Sequence, residues 1–324
     1  MRRNLFPQNI IALIWDFDKT LIPSYMQDPL FKHFNVDPIV FWDEVNGIAD
    51  FYKRENGLEL ISKDSLYLNH ILTYVREEIF QGLNNKMLQK LGAELEFYQG
   101  LPEFFDSINK IVEKNDKYKK YDIKLEHYII SSGLRQIILG SQIAPFVDGV
   151  WGCEFIEKVP MPGYLKENEL AIFTESNVIS HIGYVIDNTT KTRALFEINK
   201  GSNKDPEIDV NAKMNAEDRR IPFQNMIYIA DGGGDIPAFS IVKQYGGQTF
   251  AVYKPGSRGE FAQVNALQKQ ARVQSFGPAD YTKDSHTYMW IVNAVEEIIT
   301  RIVQARKLAY GNQLGRPPIH IYLE

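Results

Sequence analysis

The chain has 324 residues, 44% hydrophobic and 24% charged, with a formal charge of −5 at pH 7. That composition is ordinary for a globular protein and long enough for one large α/β domain or two smaller ones; with no basic block, it offers neither nucleic acid nor an anionic membrane an electrostatic footprint. No apolar run approaches the ~20 residues that cross a bilayer, and the single Cys153 excludes an intramolecular disulfide and suits a reducing, cytoplasmic setting.

The opening MRRNLFPQNIIALIWDF starts as a signal peptide would, with a basic end and an apolar run. It lacks a small-residue cleavage pattern and runs into two Asp residues, so it reads instead as a first buried strand, IIALIWDF (10–17). Residues 28–98 then hold no convincing strand. PIVFWDEVNGIADFYKREN (38–56), DSLYLNHILTYVREEIFQG (64–82) and NKMLQKLGAELEFY (85–98) read as helices of an inserted subdomain. Its aromatics Phe41, Trp42, Phe51, Tyr52, Tyr67 and Tyr74 are expected to form its core. A helix with Pro near its start follows (100–115), then strands at EHYIISSG (126–133) and GVWGCEFI (149–156). Cys153 in the latter reads as a small apolar residue. Residues 157–183 suggest a small hairpin, TKTRALFEINKG (190–201) a helix closing on Gly, and 200–222 a polar surface excursion. MIYIADG (226–232) and TFAVYKP (249–255) are further strands around a helix at 236–247, and Val295, Ile298, Ile299 and Ile302 mark one face of an amphipathic closing helix over 285–309.

Strands hydrophobic throughout are covered on both faces, as in a parallel sheet, and their alternation with helices argues for a doubly wound α/β fold. The expected division is a core of residues 1–27 and 99–324 with a helical cap, 28–98, inserted after the first strand.

The chemistry-bearing residues fall at the carboxyl ends of these strands, where an open α/β sheet gathers its ligands. The first strand ends on Asp16 and Asp18, the second on Ser131-Ser132-Gly133; Lys191 opens a helix after DNTT; the fourth ends in DGGGD, with Asp231 and Asp235. Each has a plainer meaning by itself. Two Asp residues end a strand in solvent, Asp-Gly makes a turn, a Ser pair caps, and a lysine sits on the surface. Their order on successive elements is what counts.

The series DFDKT, a strand ending in Ser, Lys at a helix start and DGGGD resembles the haloacid dehalogenase superfamily of aspartyl-nucleophile phosphatases. The helical insert directly after the first motif is similar to the phosphoserine phosphatase-like branch with a C1 cap. Ala230 departs from the Gly often found before the fourth-motif Asp.

The resemblance implies a magnesium-dependent phosphatase acting on a small phosphorylated metabolite, and each residue type suits such a task. A carboxylate nucleophile, Asp16, splits ester hydrolysis into two steps through an aspartyl-phosphate. Its approach to an anionic phosphate is repulsive without a cation, and Mg²⁺ takes oxygen ligands. Asp16, Asp231 and Asp235 would supply them, with the Asp18 backbone carbonyl implied by the family. Asp18 would serve as general acid and base. Ser131 would donate to a phosphoryl oxygen, with backbone groups near Ser132 and Gly133 adding donors, and Thr20 would fix the first loop. Lys191 would balance the transferring charge, with Arg193 and Lys200 as poorer candidates. The six histidines show no metal-ligand spacing that would suggest zinc, and the glycine run lacks the GxGxxG pattern of a nucleotide loop. Rival readings are a phosphotransferase or phosphomutase of the same fold, and a non-catalytic protein that binds a phosphorylated ligand.

Overall fold

The computed structural model describes residues 8–160, 162 and 177–314. A seven-stranded sheet runs β4-β3-β2-β1-β5-β6-β7, formed by β1 (Ile10–Trp15), β2 (Lys124–Leu134), β3 (Gly149–Ile156), β4 (His181–Tyr184), β5 (Met226–Ala230), β6 (Gln248–Tyr253) and β7 (Ser275–Pro278). All neighbours pair in parallel except β3 and β4. The helices are α1 (Asp28–His33), α2 (Pro38–Asn56), α3 (Lys63–Arg76), α4 (Asn85–Gly92), α5 (Glu103–Glu113), α6 (Asp116–Lys119), α7 (Arg135–Gly140), α8 (Thr190–Lys200), α9 (Ile236–Gln244), α10 (Arg258–Lys269) and α11 (His286–Leu314). This is the doubly wound α/β architecture expected.

β1 lies at the centre, every residue buried. Alternate side chains face opposite ways in a strand, so Ile11, Leu13 and Trp15 join one core with α5, α11 and the insert, while Ile10, Ala12 and Ile14 join another with α8, α9 and α10. Burial on both faces explains why these strands read as continuous apolar runs.

The four helices α1–α4 occupy 28–98 between β1 and β2. Two are shorter than their apolar patterns suggested: α3 stops at Arg76 and α4 at Gly92. After α3 the chain turns through Glu78 and Gly82, both at positive φ. After α4, close packing against α7 takes over: a Cβ on Gly92 would stand 2.0 Å from the Ile137 carbonyl oxygen, and one on Gly140 would stand 1.8 Å from that of Gln89. Glycine at both contacts lets the two backbones touch.

β4, β7 and α10 go beyond the sequence reading. The strands have four residues each, too few to give a period-two signal. Of the hairpin suggested over 157–183, the described part is β4 pairing antiparallel with β3; residues 161 and 163–176 lie outside the described residues. Among the described residues no helix is long and apolar enough to cross a membrane.

Candidate active site

The fold gathers the singled-out acids at the carboxyl ends of the central strands β1 and β5. Asp16 follows β1, its N–H held by the Ile229 carbonyl of neighbouring β5 at 2.9 Å. Asp231 follows β5, and Asp235 sits at the start of α9. The turn between them passes Gly232 at φ 105°, a backbone conformation that a Cβ strains. One carboxylate oxygen from each of Asp16, Asp231 and Asp235 lies within 4.8 Å of the others.

Lys191 enters this group from the first turn of α8. That helix is started by Asp187, whose carboxylate accepts the backbone N–H groups of Thr189 (2.8 Å) and Thr190 (2.6 Å). The Lys191 Nζ donates to Asp16 Oδ1 at 2.8 Å and to Asp235 Oδ1 at 2.7 Å. Asp16, Lys191 and Asp235 are only 6%, 3% and 2% exposed, so water does little to screen them. Arg193 and Lys200 belong elsewhere: Arg193 pairs with Glu197 at 3.0 Å, and Lys200 donates to the carbonyls of Val210 and Ala212.

Burial raises the Asp16 carboxyl well above the usual range; Lys191 opposes the rise, and Asp235 and Asp231 add to it. Burial and then Asp235 push Asp231 up to about 6. Burial acts to lower the Lys191 pKa, but Asp16 and Asp235 outweigh it and hold the ammonium above its ordinary value. Three carboxylates against the one ammonium hydrogen-bonded to them leave an excess of negative charge in a desolvated space, which Lys19 eases only from a distance, at Asp231. The donor set is all oxygen and closely spaced, which fits a hard divalent cation such as Mg²⁺.

Asp18 stands apart from the three-carboxylate group. Its Oδ1 accepts the Met26 N–H at 2.8 Å, and its Oδ2 lies 3.3 Å from where a Cβ on Gly133 would stand. Burial pushes its carboxyl up to about 7. The Ser131 Oγ accepts the Gly133 N–H at 3.0 Å, which leaves the hydroxyl proton free to be donated. The Ser132 carbonyl accepts from Tyr67 of α3 at 2.6 Å, tying the insert to the end of β2. Thr20 donates to Asp16 Oδ2 at 3.2 Å, while its own carbonyl accepts the Tyr281 hydroxyl at 2.6 Å.

Sequence reasoning missed Tyr228. Its hydroxyl donates to Asp235 Oδ1 at 2.5 Å, on the same oxygen that Lys191 holds. In the sequence it is one aromatic inside a buried strand, indistinguishable from core. Asp187 was also passed over, although Asp before a helix, with Thr three residues on, is a capping signal.

No family model matches the chain. An uncharacterized protein of Borreliella burgdorferi is 43% identical over 292 residues, which cover 89% of this chain and 97% of the relative. A HAD family hydrolase from Salmonella enterica serovar Typhi is 14% identical at a TM-score of 0.46, over 84% of this chain and 68% of the other. A probable phosphoserine phosphatase from Vibrio cholerae is 12% identical at a TM-score of 0.47, over 91% and 68%. A phosphoserine phosphatase solved as a phospho-aspartyl intermediate analogue is 13% identical at 0.42, over 83% and 93%. Structural likeness this distant identifies no activity. The chain belongs to the same family as the Borreliella burgdorferi protein.

Proposed function

We propose that this protein is a magnesium-dependent phosphatase that hydrolyses a small phosphate monoester through an aspartyl-phosphate on Asp16. The observation that carries this reading is the convergence of Asp16, Asp231 and Asp235 within 4.8 Å, with the Lys191 ammonium bonded to Asp16 and Asp235.

In this reading Asp16, Asp231, Asp235 and the Asp18 backbone carbonyl would hold the Mg²⁺. When bound, the ion supplies positive charge that offsets the crowded carboxylates and polarises the phosphoryl group. One Asp16 oxygen attacks phosphorus and the ester P–O bond breaks. The protonated Asp18 carboxyl gives its proton to the departing alkoxide oxygen. Asp18, now a carboxylate, takes a proton from water as that water attacks the phosphoryl group. Inorganic phosphate leaves and the Asp16 carboxylate returns. The Lys191 ammonium and the Ser131 hydroxyl stabilise negative charge on the transferring oxygens, where most phosphoryl-transfer catalysis resides. Helices α1–α4 act as the cap, excluding water from the strand-end site while the ester is held.

A panel of small phosphomonoesters assayed with magnesium and with chelator tests the reading. Phosphate release is expected with magnesium only, and Asp16→Asn is expected to abolish it in a folded protein, by roughly 10⁴-fold or more. Near wild-type, magnesium-dependent turnover in that variant would remove Asp16 as nucleophile. Transfer of the phosphoryl group to an added alcohol in preference to water would replace hydrolysis with group transfer.

A further inference from the structure

We propose that a second site, at the opposite end of the sheet from the carboxylates, binds a mononucleotide, its phosphate against Arg219 and Arg301 and its base on Tyr245. A cavity of about 620 Å³ opens there between the loop before β5 and the closing helix α11, lined among others by Gln8, Arg219, Tyr245, Arg301 and Arg306. That volume falls within the ~300–1,000 Å³ of small-molecule sites.

Among the described residues, Arg219 and Arg301 carry charge into this cavity with no carboxylate paired to either. The Arg219 Nε is buried without a hydrogen-bond partner, an orphaned donor of the kind that native interiors rarely keep. Arg301 donates to Gln224 Oε1 at 2.8 Å, to the Gln224 carbonyl and to Asn225 Oδ1 at 3.0 Å, all of them neutral. Burial alone draws its pKa below the ordinary guanidinium value, with no carboxylate acting to restore it. Arg306 donates to the Tyr121 carbonyl at 2.8 Å. Glu217, exposed, is the one carboxylate among the described lining residues. A half-buried cation without a counter-charge is costly, and a phosphate, with oxygens matched to guanidinium N–H groups, relieves that cost.

Tyr245 supplies the second half of the argument. One side of its ring is stacked on Phe223, centroids 5.1 Å apart at 25°, yet the residue stays 44% exposed. Phe196 meets the ring edge-on at 6.4 Å, and the part of the tyrosine left exposed beside a basic cavity suits a planar base. The site is separate from the strand-end acids. Gln8 and Asn225 precede β1 and β5, whereas Asp16 and Asp231 follow them. Five or six strand residues at ~3.3 Å each place roughly 20 Å between the two.

The test is calorimetric titration of AMP, adenosine and inorganic phosphate into the full chain with chelator present. Saturable AMP binding is expected, tighter than that of phosphate or adenosine. Arg219→Ala should weaken it about tenfold or more with no fall in melting temperature, Tyr245→Leu should weaken AMP more than phosphate, and Asp16→Asn should bind AMP as the wild type does. Absence of saturable binding at millimolar AMP would overturn the proposal. So would equal affinity for adenosine, indifference to Arg219→Ala, or clearly tighter binding in Asp16→Asn, which relieves repulsion of a phosphate at the strand-end acids and would seat the nucleotide there. None of these outcomes touches the phosphatase reading, which is measured by phosphate release.

Discussion

Trp15 and Asp16 are neighbours in sequence and bury polar groups in opposite ways. The Trp15 indole N–H donates to His127 Nδ1 at 3.3 Å, and His127 Nε2 meets Asn109 Oδ1 at 3.2 Å. Burial pushes the imidazole pKa down to about 3, so it stays neutral, packed against Trp15 and Phe105. One residue further, Asp16 joins two other carboxylates around a single ammonium, all buried or nearly so. The strand body hides polar atoms by neutralising and partnering them, whereas the strand end hides charges that outnumber their counter-charges. The second arrangement is what a site pre-formed for an ion and a phosphate requires, and its cost falls on the stability of the folded chain.

Removing the one ammonium should produce the largest effect. Lys191→Met leaves Asp16 and Asp235 facing each other unpaired, and we expect turnover to vanish and the fold to lose about 3–5 kcal/mol in urea unfolding. A loss below 1 kcal/mol would show that the ion pair is not desolvated.

The His127 side of the comparison is tested by acid. Below about 6.5 the unfolded imidazole takes a proton that the folded one refuses until about 3, so the unfolded state binds more protons and stability falls as pH drops through that window, at up to ~1.4 kcal/mol per pH unit. Imidazole NMR should show His127 untitrated at pH 5. Titration near 6.5 in the folded chain would erase the contrast between the two regions.

Asp231→Asn should act in the other direction. The folded pKa of Asp231 is raised to about 6, so its ionisation weighs against the fold at pH 7, and this penalty fades as pH falls toward the unfolded value of about 3.9. In chelator at pH 7 the variant should be more stable by roughly 1–3 kcal/mol, and added magnesium should no longer raise its melting temperature. Destabilisation in chelator would contradict the crowding. The smallest effect is expected from Tyr228→Phe, which keeps the ring and removes the donor to Asp235. The magnesium concentration for half-maximal turnover should rise about tenfold, with little change in kcat at saturating magnesium.

Much of this was readable before any coordinates. The central strands were legible because both faces are apolar, and the acids because DFDKT and DGGGD sit where those strands stop. The edges were harder: β4 and β7 have four residues each, and β4 is mostly exposed. α3 and α4 stop short of their apolar patterns, α4 where Gly92 packs on α7, a tertiary contact invisible to periodicity. The same holds at the site. Lys191 was found by its place in a series, but that it bridges two particular acids is a fact of three dimensions, and Tyr228 looked like core because its ring is core and only its hydroxyl is not.

The claim that Asp16 carries the phosphoryl group is most directly tested by borohydride reduction of enzyme quenched during turnover of an active phosphomonoester, followed by peptide mass spectrometry. An acyl phosphate reduces to the alcohol, so homoserine at position 16, present only with substrate and magnesium, is the predicted result. An unmodified Asp16 peptide during rapid turnover, or homoserine at Asp18 or Asp231 instead, would contradict it.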